Sequence, residues 1–334
     1  MSDASPPPRV TIGLPVRNGM PLLVDSLESL LAQDQDGLEI VVSDNASDDG
    51  TEAYCRDLAE RDGRVRYSRN PEDVGAAANF QRVLDLATAP YFAWAAHDDR
   101  YHPSFVSSCL EALAARPDAG LCVPAHRRVD ERGERLSIRE EPVGLASADL
   151  ETRLRAHLWR RGWITIYGLW RTELLRRVGP PPPVWGSDVV LVWKALLLAP
   201  AETLAEPLTD YRVVRAKRAE TVMLGITPSR SAPPFANSGM LASLRQAADE
   251  LPLSVAERRA AARVLDRWRF TRHYRELVAT DLIEQSRRLR DRGAVLRAGA
   301  LLAPAALLGP RMALQGIRHV VSVRSWDPEV GSTA

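Results

Sequence analysis

The chain has 334 residues, a formal net charge of +1 and a hydrophobic fraction of 45%, which suits one large domain with an extension and an ordinary globular core. The near-neutral balance argues against a dedicated nucleic-acid binder, which carries a concentrated basic excess. Cys55, Cys109 and Cys122 are odd in number and irregularly spaced, so they form neither a disulfide framework nor a zinc spacing and read as buried reduced thiols.

Residues 1–8 are Pro-rich, lack the apolar run of a signal peptide and are expected to be a disordered tail. Val10 to Leu14 is a short apolar run before Pro15 and predicts a buried strand. Pro21 opens a helix with Leu23, Leu27, Leu30 and Leu31 on one face. Leu38 to Val42 predicts a second strand, residues 44–50 a polar turn, and Thr51 to Arg61 a helix. Val65 to Tyr67 is a third strand, and Gly75 precedes a helix with Ala77, Phe80, Val83, Leu84 and Ala87 on its apolar face. Tyr91 to Ala95 is a fourth strand that runs into His97-Asp98-Asp99, followed by a helix over Pro103 to Ala115 and a strand over Ala119 to Val123.

Strands and helices alternate throughout this half, and the strands are continuous apolar runs. That pattern implies an α/β fold with a mostly parallel sheet covered on both faces. Ligands of such sheets bind at the C-terminal ends of the strands, so the polar turns after the second and fourth strands matter most.

The second half is less regular. Residues 130–133 read as a hairpin tip, Ala148 to Arg160 as a helix and Ile164 to Arg171 as a strand. Pro180 to Pro183 mark a loop, and Ser187-Asp188 stand where a helix to Leu198 begins. Residues 216–240 are rich in Arg, Pro and Ser and are expected to be a mobile loop, with a helical C-terminal extension over 241–325.

Three acidic sites stand out: Asp44, Asp98-Asp99 and Asp188. An acidic crevice at strand ends repels a nucleotide diphosphate unless a divalent cation bridges them, and Mg²⁺ or Mn²⁺ takes one or two carboxylates plus phosphate oxygens and waters. A further carboxylate is then wanted as general base toward an acceptor hydroxyl. Each site also has a plainer reading. Asp44 suits a turn, Asp98-Asp99 a strand end, and Asp188 the first turn of a helix.

The segment Val10-Thr11-Ile12-Gly13-Leu14-Pro15-Val16-Arg17-Asn18 resembles the first strand and loop of family-2 glycosyltransferases. Residues 43–51, with Asp44 and Asn45, resemble that family's second strand and turn. The stretch from Asn70 to Asp99, with Gly75, Asn79, Tyr91, His97, Asp98 and Asp99, is similar to the segment leading to its Asp-rich metal motif, and Gly186-Ser187-Asp188 to the position of its base. The motifs run in the family's order from Val10 to about Arg215.

The resemblance implies a Rossmann-like GT-A domain over 9–215, with a donor half (9–125) and an acceptor half (126–215). Its implied activity is transfer of a sugar from a nucleotide-diphosphate donor, a UDP- or dTDP-sugar, to an acceptor hydroxyl. By analogy Asp44 contacts the nucleobase, Asp98 the ribose and Asp99 the metal, Mn²⁺ or Mg²⁺, while Asp188 is the base of an inverting transfer. Pro15, Arg17, Asn18, Asn45, Gly75 and Asn79 belong to the donor-binding motifs.

Two departures are visible. His97 stands where the family's metal motif often begins with Asp, so it reads as a metal ligand or as a residue lining the site. The run Tyr211-Arg212-Val213-Val214-Arg215 lacks the His that many relatives carry, leaving Arg212 or Arg215 to neutralise diphosphate charge.

A sugar nucleotidyltransferase would show a Gly-rich phosphate loop after the first strand, and an oxidoreductase Gly-x-Gly-x-x-Gly; Pro15-Val16-Arg17-Asn18-Gly19 is neither. A non-catalytic nucleotide-sugar-binding module stays open and is separated by Asp188. Trp163, Trp170 and Trp185 are either acceptor-side stacking residues or core. The acceptor is unidentified: a lipid-linked glycan, a polysaccharide end and a small natural product all fit.

Lysine occurs only at Lys194 and Lys217, an arginine-rich bias of high-GC bacteria. The apolar run Ala294 to Leu308 is too short and interrupted for a transmembrane helix. With Arg311, Arg318 and Arg324 following, it reads as a peripheral contact with the inner face of a membrane, a dimer contact or packing on the catalytic domain of a cytoplasmic protein.

Overall fold

In the computed structural model the described residues are 7–159, 164–182, 184, 186–213, 236–271 and 274. Trp163, Trp185, Arg215, residues 1–6, most of the loop expected over 216–240 and the run from Ala294 to Leu308 lie outside them.

The apolar runs of the first half become strands whose every residue is buried: β1 (Val10–Val16) and β2 (Leu38–Asp44). With β3 (Val65–Arg69) and β4 (Tyr91–Trp94) they form four parallel neighbours in the order β3-β2-β1-β4. Beyond β4 the sheet continues through β8 (Leu169–Arg171), β6 (Leu121–Val129), β9 (Ala201–Arg212) and β5 (Arg100–Tyr101), with β7 (Arg135–Arg139) paired to β6. β8 is antiparallel to both its neighbours, while β6 and β9 are parallel. β6 runs across residues 125 and 126, so one sheet carries both the donor and the acceptor halves.

Helices cover both faces. One core joins Ile12, Leu14, Ile40 and Val42 to α1 (Leu22–Leu31), α2 (Thr51–Arg61) and α4 (Phe105–Ala115). The other joins Val41, Phe92, Trp94 and Trp170 to α3 (Ala76–Asp85), α5 (Leu150–Leu158), α6 (Thr172–Val178) and α7 (Ser187–Leu198). The alternation of Ile40 and Val42 against Val41 is the period-2 geometry of a strand buried on both faces. Gly13 lets α3 approach β1: a Cβ there would lie 2.7 Å from the Phe92 ring and 2.8 Å from Val83. All three cysteines are buried and free, and burial pushes the Cys55 thiol up to about 12.

The second half departs from expectation in three places. Residues 164–171 are not one strand: a 3₁₀ turn over Thr165–Tyr167 precedes β8. Gly168 presses so close to β6 that a Cβ would meet the Cys122 carbonyl at 2.4 Å, and extended pairing starts only after it. β9 is a twelve-residue strand in a stretch with no clear periodicity; its register against β6 shifts between Leu204 and Pro207, where a bulge accommodates the proline. The end of the expected mobile loop is already helix, because α8 spans Ala236–Glu250 and buries Met240, Leu244, Ala247 and Ala248 in the second core. α9 (Val255–Trp268) follows, started by a capping box between Ser254 and Glu257. Among the described residues no helix is long and apolar enough to cross a membrane.

Candidate active site

The parallel strands end together. Val16, Asp44 and Arg69 are register partners at the C-terminal ends of β1, β2 and β3. The loops that follow β1 and β2 are laced to each other through their backbones. Asn18 N–H donates to Ser47 Oγ (2.9 Å), Gly19 N–H to Thr51 Oγ1 (3.0 Å), Met20 N–H to Asp49 Oδ2 (2.9 Å) and Asp48 N–H to Asn18 Oδ1 (3.0 Å). Both loops turn through left-handed non-glycine residues, Asn18 at φ 52° and Ala46 at φ 58°. Such conformations persist only where surrounding contacts over-determine them, as these do. Pro15 sits in β1 beyond the last residue paired with β4, so its missing N–H costs no ladder bond there.

Asp44 is 0% exposed. Its Oδ1 accepts the Ser47 N–H (2.8 Å); its Oδ2 accepts the Tyr67 hydroxyl (2.7 Å) and the Arg69 guanidinium (2.8 Å). Burial works to raise this carboxyl, but the bonds from Ser47, Tyr67 and Arg69 outweigh it and hold it below the usual carboxylate range. Burial and the bond to Asp44 push the Tyr67 phenol up, and Arg56 stacks over its ring at 5.1 Å.

Asp73 organises the next layer. It accepts the Asn45 amide (2.6 Å) and the Gly75 N–H (2.9 Å) and pairs with Arg17. Asn45 Oδ1 in turn accepts from Asn70 and from the Val74 N–H. Asn79 is buried: it accepts from Ser43 Oγ (2.7 Å) and donates to the Ser43 carbonyl (2.8 Å), so it brackets α3 to β2. Gly75, at φ 84°, starts α3. Arg17, 44% exposed, is the half-free cation at this mouth.

At the end of β4 the chain turns through His97-Asp98-Asp99. Buried serines of α1 hold this turn: Ser26 Oγ donates to the Ala96 carbonyl (2.8 Å), and Ser29 Oγ accepts from Tyr101 N–H (3.0 Å). His97 lies beside Gly19 of the first loop, 3.5 Å from where a Cβ would stand. Asp98 and Asp99 are 7% and 5% exposed. Arg212, at the end of β9, clamps the turn. Its N–H donates to Asp99 Oδ1 (2.9 Å), Nε to the Asp98 carbonyl (3.0 Å) and Nη1 to the Glu131 carbonyl (2.9 Å), and Nη2 faces Asp25 at 3.7 Å. This guanidinium is therefore committed to shaping the Asp98-Asp99 turn and does not stand open toward a diphosphate.

Asp188 lies on the first turn of α7, after Gly186. It is half-buried, and desolvation pushes its carboxyl up to about 6 against the smaller pull of its own and the Val189 N–H groups. Two half-buried phenols, Tyr167 and Tyr211, feel both acidic sites. Burial raises Tyr167 well above its ordinary value, with Asp99 and Asp188 adding to it; burial raises Tyr211, with Asp99, Asp98 and Asp188 adding. Both phenols thus lie within electrostatic range of Asp99 and of Asp188.

The structure brings together Asp44, Asn45, Arg17 and Asn18 at the ends of β1 and β2, sets His97 beside the first loop, and puts Asp99 and Asp188 within electrostatic range of Tyr167 and Tyr211. Trp170 is core, not a stacking surface: it is fully buried and its indole donates to the Ile166 carbonyl (2.8 Å). Sequence reasoning passed over Tyr67, Arg69, Asp73 and Tyr167. Only Asp73 carried a local cue, an Asx residue two before a glycine.

The sequence pattern of glycosyl transferase family 2 matches residues 11–175, which contain every strand-end loop just described. Residues 11–175 belong to glycosyl transferase family 2. A glycosyltransferase of Rickettsia felis is 28% identical over 130 residues, 39% of this chain and 21% of that protein. One of Rickettsia bellii is 32% identical over 108 residues, 32% of this chain and 15% of that protein. The chain thus spans between about a seventh and a fifth of the length of these curated relatives. Among solved structures, residues 1–349 of S. aureus TarS, in complex with UDP, superpose with a TM-score of 0.63 at 17% identity, covering 93% of this chain and 90% of that one. Mannosyltransferase PcManGT from Pyrobaculum calidifontis, in complex with GDP-Man and Mn²⁺, gives 0.53 at 20% identity over 96% and 89%. The chain therefore has the GT-A-like fold of these enzymes.

Proposed function

We propose that this chain is an inverting glycosyltransferase that moves a sugar from a UDP- or dTDP-sugar to an acceptor hydroxyl. The carrying observation is Asp188: a carboxyl at a helix start, pushed up to about 6, within electrostatic range of the same two phenols, Tyr167 and Tyr211, as Asp99. A group that titrates just below neutrality is ionised at pH 7 yet basic enough to accept a proton.

In this reading the nucleobase lies against the Asp44–Tyr67–Arg69 group, where contact with Asp44 requires Arg69 to yield its bond. Asp98 takes the ribose, and Arg17 turns from Asp73 toward the diphosphate. The acceptor hydroxyl attacks the anomeric carbon on the face opposite the diphosphate. Its proton passes to an Asp188 oxygen as the new C–O bond forms, and the bond to the diphosphate breaks with its electron pair leaving on the diphosphate oxygen.

Among the described residues no three His, Cys, Asp or Glu side chains cluster as a protein cage for a metal. A nucleotide-bridged Mg²⁺ or Mn²⁺ needs only one or two carboxylates, and Asp99 supplies one, so the donor set fits that kind of site. His97 is a softer group beside it. When bound, the cation would offset charge gathering on the leaving diphosphate.

The test is a screen of nucleotide sugars with Mn²⁺, followed by Asp188→Asn. The variant keeps nucleotide affinity while turnover falls about 10²- to 10⁴-fold. Near-normal turnover removes Asp188 from the mechanism, and lost nucleotide binding misplaces it. A chain that binds donor but turns over none, with Asp188 intact, is a binding module.

A further inference from the structure

The reading of Asp188 as base leaves open what holds it in place, and the following inference rests on that reading. Gly186 precedes α7 at φ 72°, a left-handed conformation that favours glycine. A Cβ on Gly186 would stand 2.4 Å from Met240 Sδ and 3.3 Å from Met240 Cγ. Met240, near the start of α8, is fully buried on the backbone of the turn that delivers Asp188. Below it Leu244, Ala247, Ala248 and Leu251 continue at helical spacing in the core that holds Val189, Val190 and Trp193 of α7. At the far end Lys194 pairs with Glu250 at 3.2 Å. On the other flank His157 Nε2 lies 2.9 Å from the Val189 carbonyl, so α5 ties the same helix start.

We infer that Met240 is a positioning residue, and that the C-terminal helical pair is part of the catalytic unit because it seals the Gly186–Asp188 turn and fixes the angle at which α7 presents Asp188. The rest of the α8 seam lies farther along α7, where it holds the helix pair in place. Shortening Met240 therefore leaves α8 docked while opening space against one turn of backbone. A flexible thioether suits this contact, filling an irregular gap over a residue with no side chain.

The test reads Asp188 itself in the full-length chain and needs no substrate. Carbon-13 labelling of aspartate carboxyls, with Asp188→Asn assigning the resonance, gives its titration midpoint. The charged and titratable groups of the surrounding elements are Tyr167 and Tyr211, which feel both Asp99 and Asp188, His157 of α5 on the Val189 carbonyl, and Lys194 and Glu250 farther along α7 and α8. Met240→Ala leaves all of them in place. It is expected to admit water at the turn and lower the midpoint by about one pH unit, toward the ordinary aspartate value. Met240→Leu, of similar volume, is expected to restore the wild-type midpoint. Near-ultraviolet circular dichroism checks that the core around Trp193 stays packed. Should Met240→Ala unfold, Met240→Val carries the same comparison. A packed variant with an unmoved midpoint overturns the inference, as does a shift that Met240→Leu fails to reverse. The base reading fails separately, by normal turnover of Asp188→Asn, which leaves the titration result untouched.

Discussion

Asp188→Asn should make the protein more stable while it makes it inactive, and the size of the gain should depend on pH. Burial raises the Asp188 carboxyl from 3.8 to about 6, roughly two pH units, each equivalent to about 1.4 kcal/mol. The folded chain therefore holds this proton to a higher pH than the unfolded chain does. Wild-type stability falls as pH rises from about 4 to about 6, and the deficit of about 2–3 kcal/mol persists above that. Asparagine resembles the protonated acid and never ionises, so the variant escapes the deficit. Urea unfolding followed by tryptophan fluorescence should find the two proteins nearly equal at pH 4 and the variant more stable by about 2–3 kcal/mol at pH 8. Other titrating groups cancel in the difference. An equal difference at both pH values, or a less stable variant at pH 8, would refute the claim that the fold stores free energy in this carboxylate.

The same carboxyl sets an acid limb: turnover should fall to half near pH 6, and a half-point near 4 in the pH–rate profile would mean another group controls it. Asp44→Asn removes the charge facing Arg69 and places an amide among donors, so urea unfolding at pH 7 should show a loss of about 2–3 kcal/mol. Because the Asp44 pKa is lowered, that wild-type advantage should be complete above the ordinary aspartate value and vanish as pH falls through the folded one. Ala46→Gly relieves a left-handed alanine and should gain about 0.5–1 kcal/mol, read as a rise of the thermal midpoint by about 2 °C.

The donor half was legible because its strands are continuous apolar runs and its helices show a single apolar face, two patterns that survive without knowledge of neighbours. Asp44, Asp98 and Asp99 followed from the rule that crevices form at strand ends. β9 was not legible: Pro207 and the acidic residues of the strand break any alternation, and only pairing with β6 and β5 makes the stretch extended. Arg212 read as a cation for phosphate, since its commitment to the Asp98 and Glu131 carbonyls is a contact across more than eighty residues of chain. Tyr167 and Tyr211 gain their place from the same long-range closure. Trp170 was open between stacking surface and core because a sequence gives the ring and not its cover; the structure makes it core.

The division of the sheet into two cores has a consequence in time. The face of α1, α2 and α4 needs little beyond β9 to be complete, whereas α5 and α7, on the other face, wait for α8 and α9 to pack on them. At roughly 5–20 residues per second, translation from Arg212 to Trp268 takes on the order of 3–11 s. Through that interval the apolar sides of α5 and α7 are made but not yet covered.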